Sequence, residues 1–320
     1  MWNRLRKALG ASRPVILMYH RVAKLPHDPW GMAVAPDHFA AQLEQLSKRR
    51  TVLPMAELAD LLKRRTLPQD AVGITFDDGY VDNLRNAAPA LGWAGLSATL
   101  FLSTGPMRRG LPYWYEELSA MILDAPGPVD ARIPLPEGEW IVRFGPREAL
   151  DDERAGWRAW DAGRTQREEC YRATWDRLRR LPPAANRAAM ATLRDQIGGG
   201  MSDDDRPMTG EEVAALVAGG HFTLGGHTLD HPDLLEMNDR DALKQIADGK
   251  AEVEAICGAA IGGFAYPYGR FDSRVRDLVG DAGFSWACTT QHGYVGTARD
   301  DILALPRVAA EDTPYIDWAA

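Results

Sequence analysis

The sequence predicts an α/β protein, a parallel sheet or barrel interrupted by a mainly helical insertion. Three observations carry that prediction. Compact apolar runs alternate with amphipathic stretches from residue 14 to 104, the alternation fails between about 105 and 205, and it then resumes as far as ILALPRV (302–308).

PVILMYH (14–20) is an apolar run after a proline, the pattern of a buried strand. DHFAAQLEQLSKR follows with Phe39, Leu43 and Leu46 at helical spacing and Asp37 as its N-cap. MAELADLLKR (55–64) reads as a short helix, AVGITF as the next strand, VDNLRNAAPALG as a helix and SATLFLST (97–104) as a strand. Within the interruption, YWYEELSAMIL reads as a helix and ARIPLPEGEWIVRFG as a hairpin turning at PEGE. ERAGWRAW and CYRATWDRLRRL read as helices whose balanced charges suit salt-bridged faces. IGGGMSDDDRP (197–207) has the glycines and charges of an exposed joint. Thr209 and Glu212 then form a capping box for the next helix. HFTLGGHT, GGFAYPYG, FSWACTT and ILALPRV read as strands, with helices in DALKQIADGKAEVEAICG and SRVRDLVGDAG. The expected organisation is a basic arm over 1–13, the α/β unit over 14–104 and 206–320, and the insertion over 105–205.

The 320 residues can bury a large core, and 45% hydrophobic with 26% charged content is that of a globular protein. A net charge of −8 argues against a nucleic-acid partner, which needs basic surface. Cys170, Cys257 and Cys288 are scattered and odd in number, so they read as reduced thiols, in keeping with a cytoplasmic protein. The arm, MWNRLRKALGASR, has four basic residues and lacks the apolar core of a signal peptide; Trp2, Leu5 and Leu9 on one helical face could touch an anionic membrane surface weakly.

Two stretches carry chemistry. AVGITFDDGY (71–80) ends a buried strand in two adjacent carboxylates, Asp77 and Asp78. Asp and Gly suit turns at strand ends; the sharper reading makes one aspartate a metal ligand and the other a base. GGHTLDHPDL (225–234) holds His227 and His231 four residues apart in a stretch too rich in Gly and Pro for a regular helix. Two histidines and one carboxylate are a common catalytic metal set that leaves positions open for water and substrate.

TFDDG, GHTLDHP and FAYPYG, in that order, resemble the polysaccharide deacetylases of carbohydrate esterase family 4, the NodB-homology fold. The resemblance covers roughly 14–104 and 207–308 and implies a distorted (β/α) barrel that removes acetyl groups from N-acetylhexosamine units with zinc or a similar divalent ion. Residue by residue it implies Asp78, His227 and His231 as ligands, Asp77 as base, Thr228 as a residue shaping the histidine loop, and the Tyr268 backbone N–H as an oxyanion donor. Two departures stand out. Ala265 occupies the place of an arginine that orients the base in many members, so Arg307 is assigned that task, ahead of Arg21. The C-terminal Leu-x-x-His motif is also absent. LMYH (17–20) supplies it at the other end of the chain, as in the permuted branch acting on poly-N-acetylglucosamine, and His20 is assigned as general acid ahead of His292.

Trp286 and Tyr266 are read as core or as a sugar platform, Trp114 as a cover for the cleft or an anchor of the insertion, and His27, His38 and His221 as surface or structural. The glycan expected is an intracellular or lipid-linked exopolysaccharide precursor. The rival readings are a metal-dependent amidase acting on a small non-sugar amide or cyclic imide, and a non-catalytic glycan-binding protein.

Overall fold

The computed structural model describes residues 13–316 apart from 26, 150–156, 199–202 and 298–299. All but the last residue of the basic arm, with the membrane contact expected of it, lies outside them, as do the middle of the joint and the first half of ERAGWRAW.

Strand β1 (Val15–Tyr19) is followed by the short strands β2 (Arg21–Val22), β3 (Ala33–Val34) and β4 (Thr51–Val52), then by β5 (Ala71–Asp78) and β6 (Ala98–Leu102). β7 (Val129–Leu135) and β8 (Gly138–Phe144) form a separate antiparallel hairpin, and β9 (Phe222–Gly226), β10 (Gly263–Ala265), β11 (Trp286–His292) and β12 (Leu305–Ala309) complete the set. The order β1-β12-β11-β10-β9-β6-β5 closes through a β1–β5 pairing into a seven-stranded parallel barrel, with β4 added beside β5. β1 lies between β12 and β5, with Leu17 opposite Val308 on one side and Ile74 on the other. Parallel strands covered on both faces read as unbroken apolar runs, and all eight residues of β5 are buried.

Helices α1 (Pro36–Arg49) and α2 (Met55–Arg64) flank β4. The N-cap of α1 is Ala35, not Asp37: Pro36, with its fixed φ and no N–H, suits the first helical position, and Asp37 falls in the first turn, where a carboxylate favours the helix dipole. The helix after β5 begins as a π turn, Asn83–Ala87, before α3 (Ala88–Ala94); Pro89 has no N–H to bond back along it.

α4 (Thr104–Arg109) follows β6 and packs on the barrel through Met107; the rest of the 105–205 segment contains α5 (Trp114–Leu123), the β7–β8 hairpin, α6 (Gln166–Arg179) and α7 (Pro183–Ile197), packed around its own apolar cluster of Leu118, Ile133, Val142, Tyr171 and Leu193. Buried Arg167 donates to the carbonyls of Ile122, Ala125 and Gly127, satisfying groups that the end of α5 leaves exposed. Residues 157–160 are not helical: the Ala159 N–H bonds the Pro29 carbonyl at 2.7 Å, and Arg158 reaches the Asp28 carbonyl, so tertiary contacts replace a helical ladder.

α8 (Gly210–Ala218) has the capping box of Thr209 and Glu212. α9 (Asp239–Cys257) and α10 (Ser273–Asp281) cover the second half of the barrel. Gly249, inside α9, is explained by proximity: a Cβ there would lie 2.5 Å from the Thr228 carbonyl carbon, so only glycine lets the helix press on the histidine loop. Among the described residues, no helix is long and apolar enough to cross a membrane.

Candidate active site

The C-terminal ends of the barrel strands gather the chemistry, as in other (β/α) barrels. Asp77 and Asp78 end β5, His20 follows β1, His227 follows β9, Tyr268 lies just beyond β10, and Arg307 sits on β12.

Asp78, His227 and His231 are buried, and one ligand atom from each lies within 4.8 Å of the others. Both Nε2 atoms are 3.5 Å from Asp78 Oδ1, and that oxygen has no hydrogen-bond partner. Its sister Oδ2 accepts from the Tyr115 hydroxyl at 2.9 Å. His227 Nδ1 donates to the Ala265 carbonyl at 2.7 Å, which fixes the tautomer and leaves the Nε2 lone pair for the shared space. The Thr228 hydroxyl accepts from the His231 N–H at 3.0 Å and so shapes the loop between the histidines. Burial, and then the neighbouring Asp77, push the Asp78 carboxyl well above its usual range, while burial holds both imidazoles down. Two neutral imidazoles and an unpartnered carboxylate oxygen fit a divalent cation with mixed N and O ligands.

Backbone strain concentrates here. Among the described residues, five non-glycine positions have φ in the left-handed region, and four belong to the site: Asp78 (75°), Thr228 (68°), His231 (56°) and Tyr268 (59°). Such conformations cost energy and persist where the surroundings enforce them.

Asp77 is held by a fork. Arg307 Nη1 and Nη2 each donate to one of its oxygens at 2.7 Å, and Arg307 is itself fully buried, with Nε on the Thr289 carbonyl. Burial alone would raise the Asp77 carboxyl, but the guanidinium outweighs it and holds the group well below the usual carboxylate range. Arg21 serves elsewhere, bonded to Asp82 and Asp205. His20 Nε2 stands 3.7 Å from Asp77 Oδ2, and burial pushes this imidazole down to about 4, with Arg307 and His227 opposing the pull of Asp77. His292 is exposed, set edge-on to Tyr294, and does not line the cleft.

The cleft above these groups has a volume of about 300 Å³, and Trp30, Trp160, Trp175 and Met32 form its wall. The Trp30 and Trp175 rings pack with centroids 4.4 Å apart, tilted by 37°, and Trp160, 60% exposed, stands 6.5 Å from Trp30 at the mouth. The sequence reading missed this wall, because tryptophans at helical spacing look like core. Of its own aromatic candidates, Trp286 is packed on Phe101, Tyr266 is fully buried with its hydroxyl on the Leu303 carbonyl, and Trp114 braces Tyr268 through its indole N–H.

Residues 187–287 match the family model described as polysaccharide deacetylase. No curated protein matches the chain. Among solved structures, a Streptococcus pyogenes deacetylase, PplD, in complex with acetate aligns at 17% identity and a TM-score of 0.60, over 94% of this chain and 95% of that one. IcaB from Ammonifex degensii aligns at 20% identity and 0.56, over 93% and 92% of the two chains. A de-N-acetylase from Aggregatibacter actinomycetemcomitans gives 13% and 0.55, over 96% of each. These likenesses establish the fold, a distorted (β/α) barrel of deacetylase type. With the family match over 187–287 and the three motifs, they make this chain similar to the NodB-type polysaccharide deacetylases of carbohydrate esterase family 4. The likeness is thus to hydrolases acting on carbon–nitrogen bonds.

Proposed function

We propose that the protein hydrolyses the N-acetyl groups of N-acetylhexosamine units in a poly- or oligosaccharide, using a divalent metal ion, zinc in the first instance. The observation that carries this reading is the buried Asp78–His227–His231 group beside the Arg307-held Asp77 on the floor of one cleft. Asp78 Oδ1 and the two Nε2 atoms would hold the ion. When bound, the ion lowers the pKa of a water and polarises the acyl oxygen.

This chain's own groups do the rest. Asp77, kept ionised and oriented by Arg307, takes a proton from the attacking water. The Tyr268 backbone N–H donates to the developing oxyanion. His20, 3.7 Å from Asp77, receives that proton at Nε2 and delivers it to the departing amine nitrogen, which leaves poorly as an anion. The aromatic wall gives a pyranose ring a face to lie against. An intracellular or lipid-linked exopolysaccharide precursor is the glycan proposed, supported by the three free cysteines.

The test is acetate release from N-acetylglucosamine oligomers by zinc-loaded protein. Wild type is expected to release acetate and His20→Ala to lose about 10²- to 10⁴-fold in kcat, the usual worth of a positioned proton donor. No acetate from any glycan, with turnover of a small amide or cyclic imide instead, would overturn the glycan assignment. Trp160→Ala is expected to raise KM for a pentamer about 3- to 10-fold with kcat little changed, since a stacking contact at the mouth binds without touching the reacting atoms. An unaltered KM would remove Trp160 from the sugar path.

A further inference from the structure

Asp78 is held at two points by the 105–205 segment. Tyr113 donates its hydroxyl to the Asp78 backbone carbonyl at 2.6 Å, and Tyr115, on α5, donates to Oδ2 at 2.9 Å. Both tyrosines are buried, and their rings stack on one another with centroids 5.3 Å apart. Both also pack against the His231 ring, at 5.7 Å and 5.8 Å. One pair of residues thus braces a carboxylate from the first half of the barrel and an imidazole from the second. Neither lies in the motifs that carry the family resemblance.

We propose that Tyr115 is a positioning residue for the metal site: by occupying Oδ2 it leaves Oδ1 as the single carboxylate oxygen turned to His227 and His231. The inference rests on the metal reading above. A carboxylate with both oxygens free can swing or bind through two atoms, whereas one with Oδ2 tied presents a fixed single donor, the arrangement that suits a small ion shared with two imidazoles. The hydroxyl is anchored in turn. Tyr80 lies beside it, with hydroxyl oxygens 3.4 Å apart, and donates to Glu116, the residue after Tyr115, whose carboxylate stands 3.8 Å from the buried Arg21 guanidinium. The segment therefore does more than cover the barrel: it completes the surroundings of a ligand.

The experiment is a zinc titration of the apoprotein against a chromophoric chelator, with the visible spectrum of the cobalt-substituted protein as a second readout. Tyr115→Phe keeps the ring and removes the donor, and is expected to weaken zinc affinity about 10- to 100-fold and to alter the cobalt spectrum. Tyr115→Gln, which retains a donor, is expected to bind zinc more tightly than Tyr115→Phe. A purely steric wall predicts the reverse order, since phenylalanine preserves the shape. Wild-type affinity and spectrum in Tyr115→Phe, or tighter binding in Phe than in Gln, would overturn the proposal. Wild-type protein that takes up neither metal would overturn the metal reading beneath it. No glycan enters the titration, so these failures stay distinct from a wrong substrate.

Discussion

Asp78→Asn is expected to abolish tight zinc binding and cut acetate release by about 10³-fold or more, the several kcal/mol that a metal contributes to such a transition state, while leaving the metal-free protein as stable as wild type or more so. The two halves of this expectation have one cause. In the metal-free protein Asp78 Oδ1 is buried without a hydrogen-bond partner, 3.5 Å from the Nε2 atoms of His227, which offers a lone pair, and of His231. An unpaired buried carboxylate costs stability. The asparagine amide keeps an oxygen for Tyr115 and turns an NH₂ towards the imidazoles, making hydrogen bonds where there were none, each worth about 1 kcal/mol. Metal titration and thermal melting of the apoprotein check both parts. A variant that melts well below wild type would identify Asp78 as a structural carboxylate, and one that still binds zinc tightly would remove it from the ligand set.

The second large effect is expected at Arg307. Removing its side chain strands Asp77, which is buried and bonded through both oxygens to this one guanidinium, so Arg307→Ala should lose about 3–5 kcal/mol of stability, as when one partner of a buried ion pair is deleted. Turnover should fall by about 10²-fold or more, because the base loses both its charge partner and its aim. Arg307→Lys restores charge without the fork and should recover stability better than activity. The decisive comparison uses an Asp77→Ala background, where Arg307→Ala should cost clearly less than in wild type; equal costs in both backgrounds would show that the two side chains are not coupled. Denaturant melts and kcat on the same proteins supply the numbers.

Much of the barrel is legible in the sequence for a physical reason. A parallel strand covered on both faces must be apolar along its whole length, so VILMY and AVGITF announce themselves without any alternation. The acidic pair and the histidine pair are visible because the proposed base and ligands need specific side chains at fixed places beside strand ends. What is not legible depends on distance along the chain. Arg307 meets Asp77 across 230 positions, a pairing the sequence reading reached only through the family resemblance, because it is barrel closure through β1 that brings β12 within reach of β5. Tyr115, Trp30 and Trp175 carry no local sign, since an aromatic residue facing a ligand has the same spacing as one facing core. Asp37 misled because a good capping side chain stood next to a proline that set the helix start instead. The stretch around Trp157 misled because its Ala159 N–H and the Arg158 guanidinium bond the carbonyls of Pro29 and Asp28, partners no local pattern reveals.

The place of β1 between β12 and β5 has a consequence for how the protein comes into being. A chain emerging from the ribosome has Asp78, His227 and His231 once the last of them is out, but the fork that holds Asp77 arrives only with Arg307, and the wall of strands stays open until β12 is made. Contacts of such long sequence separation form late and slowly. On the proposed function, the residues that would hold an ion are synthesised well before the arginine that orients the base, and sealing the barrel is the step that completes the site.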